Sequence, residues 1–196
     1  MLKAALEKIG VIGKKEKITE RDIYPHMYKA LKWRTRINKS ITEEYLNEHT
    51  VSKALFYHPI WLAKILLIAR RPPFPPKKIP NMIFVDAVSG YRGLISSIPG
   101  TVIQEVDPQP LISPKINEQD AVKRYVEDVQ INQINRSYVL KKPEYDLRDL
   151  SLVYLPLWRV KVESDLLTKE FTINANTGES EEYMSSLWDS NKLLLD

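Results

Sequence analysis

The side chains that most often carry catalysis or bind metals are few and scattered in this sequence. The chain has no cysteine and three histidines, His26, His49 and His58, which show neither HxxxH nor HxH spacing. A transition-metal site needs such ligands in a cluster, so we expect no metal ligand. The second half has no histidine, and no serine lies in a nucleophile-elbow pattern. A Ser-His-Asp triad is therefore not expected either.

Phosphate-binding loops and paired acids also give no catalytic signal. The six glycines match neither GxGxxG nor a Walker loop. The acidic pairs Glu43-Glu44 and Glu181-Glu182 are typical of solvated faces. We therefore predict no catalytic residue, no cofactor-binding residue and no cofactor, and a protein that is not an enzyme.

The most distinctive stretch is the basic, proline-rich segment Arg70-Arg71-Pro72-Pro73-Phe74-Pro75-Pro76-Lys77-Lys78. Its four prolines favour an extended conformation, and four cations flank one aromatic ring. One interpretation is a contact with an anionic membrane surface, nucleic acid or a groove in a partner protein. The other is a stiff hairpin loop whose prolines limit the entropy of the unfolded chain. The candidate partner-binding residues here are Arg70, Arg71, Phe74, Lys77 and Lys78.

A second basic cluster surrounds an aromatic residue earlier in the chain. Its cations are Lys29, Lys32, Arg34, Arg36 and Lys39, with Trp33 between them. Cations interleaved with an aromatic ring can bind phosphates and stack on bases, which makes Lys32, Arg34 and Arg36 further candidates for partner binding. The alternative is the polar face of a helix whose Trp33 points into the core.

The net charge of +4 conceals an asymmetry between the two halves of the sequence. Residues 1–100 hold 18 Lys and Arg against 8 Asp and Glu, whereas residues 101–196 hold 11 against 17. The basic half could face a polyanion. Alternatively, two halves of opposite sign attract each other.

The two basic clusters belong to a chain that contains an internal sequence repeat. The stretch Tyr57-His58-Pro59-Ile60-Trp61-Leu62-Ala63-Lys64-Ile65 recurs as Tyr154-Leu155-Pro156-Leu157-Trp158-Arg159-Val160-Lys161-Val162. In each copy alternate residues share one face, as in a half-buried strand. We expect Trp61 and Trp158 to anchor a core, with Tyr57 and Tyr154 beside them. Pro59 and Pro156 then mark a bulge, an edge or the start of a strand.

Two further matches keep the same order in both halves. Ile18-Thr19-Glu20-Arg21-Asp22 corresponds to Ile116-Asn117-Glu118-Gln119-Asp120, at the start of a predicted helix. Val85-Asp86-Ala87-Val88-Ser89-Gly90 corresponds to Ile173-Asn174-Ala175-Asn176-Thr177-Gly178, where Gly90 and Gly178 permit a turn with positive φ. This order indicates tandem duplication of a unit of roughly 70–80 residues. The first copy has nine more residues between its Trp and its turn.

Periodicity places helices and strands within each copy. It predicts a helix near 118–131 and, in the first copy, one that kinks at Pro25 or starts near Tyr24. A short helix capped by Thr42 should run to about Glu48. Strands are expected at 54–57 and from Trp61 and Trp158 onward, then at 81–87 and 170–175. Final strands are expected at 91–97 and 179–184.

This order of a capped helix, a strand with an aromatic residue, a hairpin and a closing turn resembles the PepSY domain family. The residues that carry the resemblance are Phe84-Val85-Asp86-Ala87-Val88-Ser89-Gly90, with Asn174 replacing the Asp in the second copy, and the helix start Asn117-Glu118-Gln119-Asp120-Ala121. Pro25 departs from the family pattern. The resemblance implies an α+β fold of two tandem units, each a helix packed on a small antiparallel sheet. It also implies binding, inhibition or regulation rather than a shared catalytic site.

The predicted organisation has five parts. They are an N-terminal helix and linker (1–17), a first PepSY-like unit (18–98), a proline-rich linker (99–115), a second unit (116–184) and a C-terminal tail (185–196). The tail ends in Leu193-Leu194-Leu195, which should dock on a neighbouring surface.

The first functional hypothesis is a non-enzymatic binding or regulatory module whose partner is another protein. The second is binding of nucleic acid or an anionic membrane surface through the basic half. The third is a structural component of an assembly, a homo-oligomer joined through halves of opposite charge. The most apolar stretch, 60–69, contains Lys64 and is shorter than the roughly 20 residues that span a bilayer, and the N-terminus does not read as a signal peptide. We therefore expect a soluble, cytoplasmic protein, or an extracytoplasmic one if the sequence is a piece of a longer chain.

Overall fold

The strands of the protein belong to one sheet rather than to two small ones. The computed structural model describes residues 5–13, 17–95, 100–139 and 141–195. Its seven strands form a sheet in the order β4-β3-β2-β6-β1-β5, with β7 also paired to β6. The prediction of two tandem units, each a helix on its own small antiparallel sheet, is therefore wrong. The reason is that β2 and β6 are single strands of 22 and 20 residues.

The strands and helices have the following bounds. The strands are β1 (Glu7–Ile12), β2 (Thr50–Arg71), β3 (Phe74–Asp86), β4 (Arg92–Ile95), β5 (Thr101–Val106), β6 (Glu144–Glu163) and β7 (Thr168–Asn174). The first helices are α1 (Tyr24–Ala30), α2 (Trp33–Arg36) and α3 (Glu43–Glu48). A continuous helical run, 118–137, follows β5 and contains α, π and 3₁₀ turns, and a short helix Glu182–Leu187 follows β7.

Two compact units can be distinguished, and each is assembled from both halves of the sequence. Unit 1 comprises Met1–His58, Thr101–Ile112 and Leu155–Ser186; unit 2 comprises Pro59–Gly100, Ser113–Tyr154 and Leu187–Asp196. Neither coincides with the contiguous ranges 18–98 and 116–184. Each copy of the repeat contributes its helices to one unit and its hairpin to the other.

In unit 1, the helices of the first copy pack on the hairpin β6–β7 of the second. Tyr24 and Met27 of α1 and Leu46 of α3 share a buried cluster with Val160 and Phe171. Pro25 lies in the first turn of α1, where its missing N–H costs no helical hydrogen bond. Thr42 caps α3 by accepting from the backbone N–H of Tyr45. The cap at Thr42 was predicted, and of the two alternatives for Pro25 the start near Tyr24 is found and not the kink.

In unit 2, the helical run 118–137 of the second copy packs on the hairpin β2–β3 of the first. Asn117 caps the run by accepting from the N–H of Asp120 at 2.9 Å. The buried cluster contains Tyr125 and Val129 from the run and, from β2, the predicted face Trp61, Ala63, Ile65 and Leu67. The run predicted at 118–131 is thus confirmed and extends further.

The C-terminal tail also belongs to unit 2. Leu194 and Leu195 pack against its core, as expected. The N–H of Leu195 donates to the Tyr125 hydroxyl at 2.9 Å, and Arg92 donates to the Leu193 carbonyl at 3.0 Å. These contacts hold the tail on the helical run and on the first residue of β4.

Several local predictions need correction. Residues 7–12 form strand β1 rather than an N-terminal helix, because they pair with β5; residues 1–4 and 14–16 lie outside the described residues. The second final strand, 179–184, is replaced by one bridge at Ser180 and the helix Glu182–Leu187. The first final strand, predicted at 91–97, is the short β4, and residues 96–99 lie outside the described residues. Pro59 and Pro156 lie inside long strands, where their carbonyls accept from Ala87 and Ala175.

Charge is distributed differently over the units than over the sequence halves. Unit 1 holds 15 Lys and Arg against 15 Asp and Glu, and unit 2 holds 14 against 10. Because each unit combines both halves, the basic and acidic halves are not separate bodies. None of the helices in the described ranges has the length and apolar character needed to cross a membrane.

Candidate partner-binding groove

The hairpin β2–β3 extends beyond the helical run that covers it. Its pairing runs from Ile60 opposite Asp86 to Arg71 opposite Phe74. The core-facing side is buried at Leu67 but only half-buried at Ala69 and Ile79. The nine additional residues of the first copy therefore form an uncovered hairpin end in unit 2. The proline-rich segment is this end, with Pro72-Pro73 between the two strands.

A groove of about 680 Å³ lies between this hairpin end and the segment that follows the helical run. We call it the overhang groove. Its lining residues are Ala69, Arg70, Arg71, Pro72, Lys77, Ile79, Ser137, Tyr138, Val139 and Lys141. The apolar side chains of Ile79 and Val139 lie beside four cations, and Val139 is 90% exposed.

One cation of the overhang groove is paired with an acid. Arg70 Nε lies 2.7 Å from Glu144 Oε1, and its Nη2 donates to Oε2 at 3.1 Å, which makes a two-pronged contact. This guanidinium holds the pKa of Glu144 below its ordinary value, and the carboxylate raises the pKa of Arg70. Both side chains are about half exposed, so the pair orients Arg70 more than it stabilises the fold.

The predicted contact residues of the hairpin do not all lie on one face. Arg70, Arg71 and Lys77 line the overhang groove, whereas Lys78, the next residue along β3, does not. Alternation along β3 turns Lys78 to the face opposite Lys77, whereas Arg70 and Arg71 lie where the pairing register shifts and both line the groove. Phe74 begins β3 and is 66% exposed. The structure therefore gathers three of the five candidates into one concave surface.

The second basic cluster lies in unit 1, on and beside α2. Lys32, Arg34 and Arg36 are exposed, and none of the residues of α2 is buried. Trp33 is also exposed, at 63%, with the Arg34 guanidinium 5.6 Å from its ring centroid. The interpretation in which Trp33 enters the core is wrong. The reason is that the helix break at Lys32 ends the buried face of α1 at Leu31.

The repeated aromatic residues have structural positions. Trp61 Nε1 donates to the Ile116 carbonyl and Trp158 Nε1 to the Ile18 carbonyl, both at 2.9 Å. Tyr57 is buried and joins Leu111 in a parallel bridge, and Tyr154 is half-buried. Each Trp thus holds the residue that leads into a helix of the other copy.

The two closing turns have nearly identical hydrogen bonds. The Asp86 side chain accepts from the N–H groups of Val88 and Ser89, and the Asn174 side chain accepts from those of Asn176 and Thr177. Gly90 and Gly178 have φ of 76° and 75°.

The three histidines lie apart, and the described ranges contain no cluster of metal ligands. No group of three or more His, Cys, Asp or Glu side chains there could hold a metal ion. His26 lies against Gly178, His49 stacks on Tyr45 at 4.0 Å between ring centroids, and His58 is buried.

Sequence reasoning missed the second wall of the overhang groove. This wall consists of Tyr138, Val139 and Lys141, which follow the helical run and belong to neither predicted basic cluster. A signal was present, because residues 131–142 hold Arg136, Lys141 and Lys142 but no acidic residue. No sequence pattern shows that this segment lies beside the hairpin β2–β3.

Comparison with models of known protein families, with curated proteins and with solved structures found no match.

Proposed function

We propose that the protein is a non-enzymatic binding module, and that it binds another protein through the overhang groove. The single observation that carries this proposal is the groove itself: an apolar lining beside four exposed cations, built on the one stretch by which the two copies differ most in length. A groove of this composition suits an acidic segment that also carries an apolar side chain. The apolar lining supplies contact area, and the cations supply orientation and a faster encounter.

The hairpin edge disfavours binding by strand addition. β4 pairs with Met82–Val85 of β3, and Pro75, Pro76 and Pro80 precede that paired segment. Proline has no N–H to donate to an added strand. The partner segment is therefore held by side-chain contacts in the groove rather than by a backbone ladder.

Arg70 can also exchange partners in this site. Its present partner, Glu144, is an exposed carboxylate on β6. An acidic residue of the incoming segment can replace Glu144, because an exposed ion pair is worth only about 0–1 kcal/mol. The exchange keeps Arg70 paired, and the displaced Glu144 carboxylate is exposed and can be hydrated.

Selection from a displayed library of random peptides tests the proposal. We expect the wild type to enrich peptides with Asp or Glu next to an aliphatic or aromatic residue. Lys77→Glu should weaken a selected peptide by roughly tenfold, as expected for about 1.4 kcal/mol from replacing attraction by repulsion. Lys78→Glu makes the same charge change one residue away, on the opposite face, and should bind like the wild type. Fluorescence anisotropy with synthetic peptides measures both affinities.

An apolar variant separates the two components of the site. Val139→Ser removes a 90% exposed side chain, so the free energy of unfolding should not change. Peptide affinity should fall while its salt dependence stays the same. Equal weakening by Lys77→Glu and Lys78→Glu, together with no effect of Val139→Ser, would indicate non-specific charge attraction and contradict the proposal.

A further inference from the structure

The segment 32–40 of unit 1 exposes two apolar side chains that the overhang groove does not explain. Leu31 before it and Ile41 after it are buried, and no residue between them is buried. Trp33 and Ile37, one helical turn apart, are 63% and 64% exposed. The backbone N–H of Ile37 donates to the Trp33 carbonyl at 3.1 Å. The two side chains therefore lie on the same side of a formed turn.

The conformation of this segment is held by its own hydrogen bonds. Thr35 and Arg36 donate to the Lys32 carbonyl, and Ile41 donates to that of Asn38. The Asn38 side chain also accepts from the N–H of Ser40 at 3.1 Å. Trp33 and Ile37 are thus exposed on a hydrogen-bonded turn that is flanked by the buried residues Leu31 and Ile41.

The charge around this turn has one sign. Lys32, Arg34, Arg36 and Lys39 are exposed, and no acidic residue occurs between Asp22 and Glu43. Cations near an anionic surface bind it electrostatically, and Trp prefers the interface between headgroups and acyl chains. An aliphatic side chain beside the Trp adds contact with acyl chains but has no role in base stacking or phosphate binding. Ile37 therefore favours a lipid surface over a nucleic acid.

We propose that the turn 32–40 docks on an anionic lipid bilayer, with Trp33 and Ile37 entering the interface and the four cations contacting headgroups. The site is independent of the overhang groove and of any protein partner bound there. Its residues belong to unit 1, whose total charge is balanced, so attraction depends on this local cluster.

Vesicle co-sedimentation tests the docking. The probe is a vesicle of phosphatidylcholine and phosphatidylglycerol at about three to one, against pure phosphatidylcholine, at low and high salt. We expect binding to the anionic vesicle alone, weakened by salt. Trp33 is the exposed one of four tryptophans, since Trp61 and Trp188 are buried and Trp158 half-buried. Its emission should shift to shorter wavelength on binding, and Trp33→Phe should remove that shift.

Matched variants decide between docking and general charge attraction. Ile37→Ser should weaken vesicle binding roughly fivefold, whereas Ile103→Ser, an isoleucine of the same unit with the same 64% exposure, should have no effect. Arg34→Glu should weaken vesicle binding by tenfold or more, because it removes an attracted cation and adds a repelled anion, each worth about 1 kcal/mol. Arg21→Glu reverses a charge that lies between two acidic residues and should leave vesicle binding unchanged.

Two results would overturn the inference. One is absence of binding to anionic vesicles at low salt. The other is binding to single-stranded oligonucleotides that exceeds vesicle binding and is indifferent to Ile37→Ser, which would assign the turn to nucleic acid. Lys77→Glu, a change in the overhang groove, should leave vesicle binding intact, so this inference and the proposed function can fail separately.

Discussion

The two units repeat the same construction and differ in what is added to it. In each, a Trp of the long strand donates to a carbonyl in the segment that leads into a helix, and a closing turn folds around an Asx side chain and a glycine with positive φ. Unit 2 adds the longer hairpin, and with it the overhang groove. Unit 1 adds the exposed turn 32–40. The comparison teaches that the repeated residues maintain the scaffold and that the unrepeated ones are the candidates for function.

The equivalence of the two Trp residues can be broken by substitution. Trp61→Ala should lower the free energy of unfolding by about 3–5 kcal/mol, because it leaves a cavity in the core of unit 2 and removes the hydrogen bond to Ile116. Trp158→Ala should cost less, since Trp158 is only half-buried at the edge of its cluster. Chemical denaturation of both variants measures the difference. Equal losses would show that burial does not distinguish the two anchors.

The two turn glycines provide a second test. A Cβ on Gly178 would lie 1.9 Å from Nδ1 of His26, whereas one on Gly90 would lie 2.6 Å from the backbone carbonyl oxygen of Leu193. Both substitutions to Ala should cost about 2 kcal/mol, since positive φ is itself unfavourable for Ala. His26→Ala should recover part of the loss in Gly178→Ala but none in Gly90→Ala. Thermal unfolding of the two double variants checks this asymmetry.

The smallest effect concerns the Asx residues of the turns. The second carboxylate oxygen of Asp86 accepts from Trp188 Nε1 at 3.1 Å, whereas the Asn174 amide donates to Glu181 at 3.0 Å. Asp86→Asn keeps the turn but turns an amide donor toward the indole donor. We expect a loss of about 1–2 kcal/mol, with earlier proteolysis of the tail. Asn174→Asp should place two carboxylates side by side in unit 1 and leave the tail of unit 2 protected, which limited proteolysis can show.

Patterns of local origin were predictable from the sequence. Alternation placed Trp61 and Val160 on buried faces, Pro25 fitted the start of α1, and Gly90 and Gly178 marked turns. The overhang groove was predictable only in its first wall, because its residues form one contiguous basic stretch. Tyr138 and Val139, in the second wall, were not predictable, since no local sequence pattern connects them with Ile79.

The repeat, its strand faces, its helix caps and its turn glycines were determined by the sequence itself, because each depends on residues a few positions apart. Only the tertiary structure decided that each helix packs on the hairpin of the other copy. The local patterns predict a helix and a hairpin in each copy but do not say which helix packs on which hairpin. Strands of 22 and 20 residues that continue from one unit into the other settle the choice. The helices α1–α3 and the hairpin β2–β3 that follows them therefore fall in different units, as do the helical run 118–137 and the hairpin β6–β7.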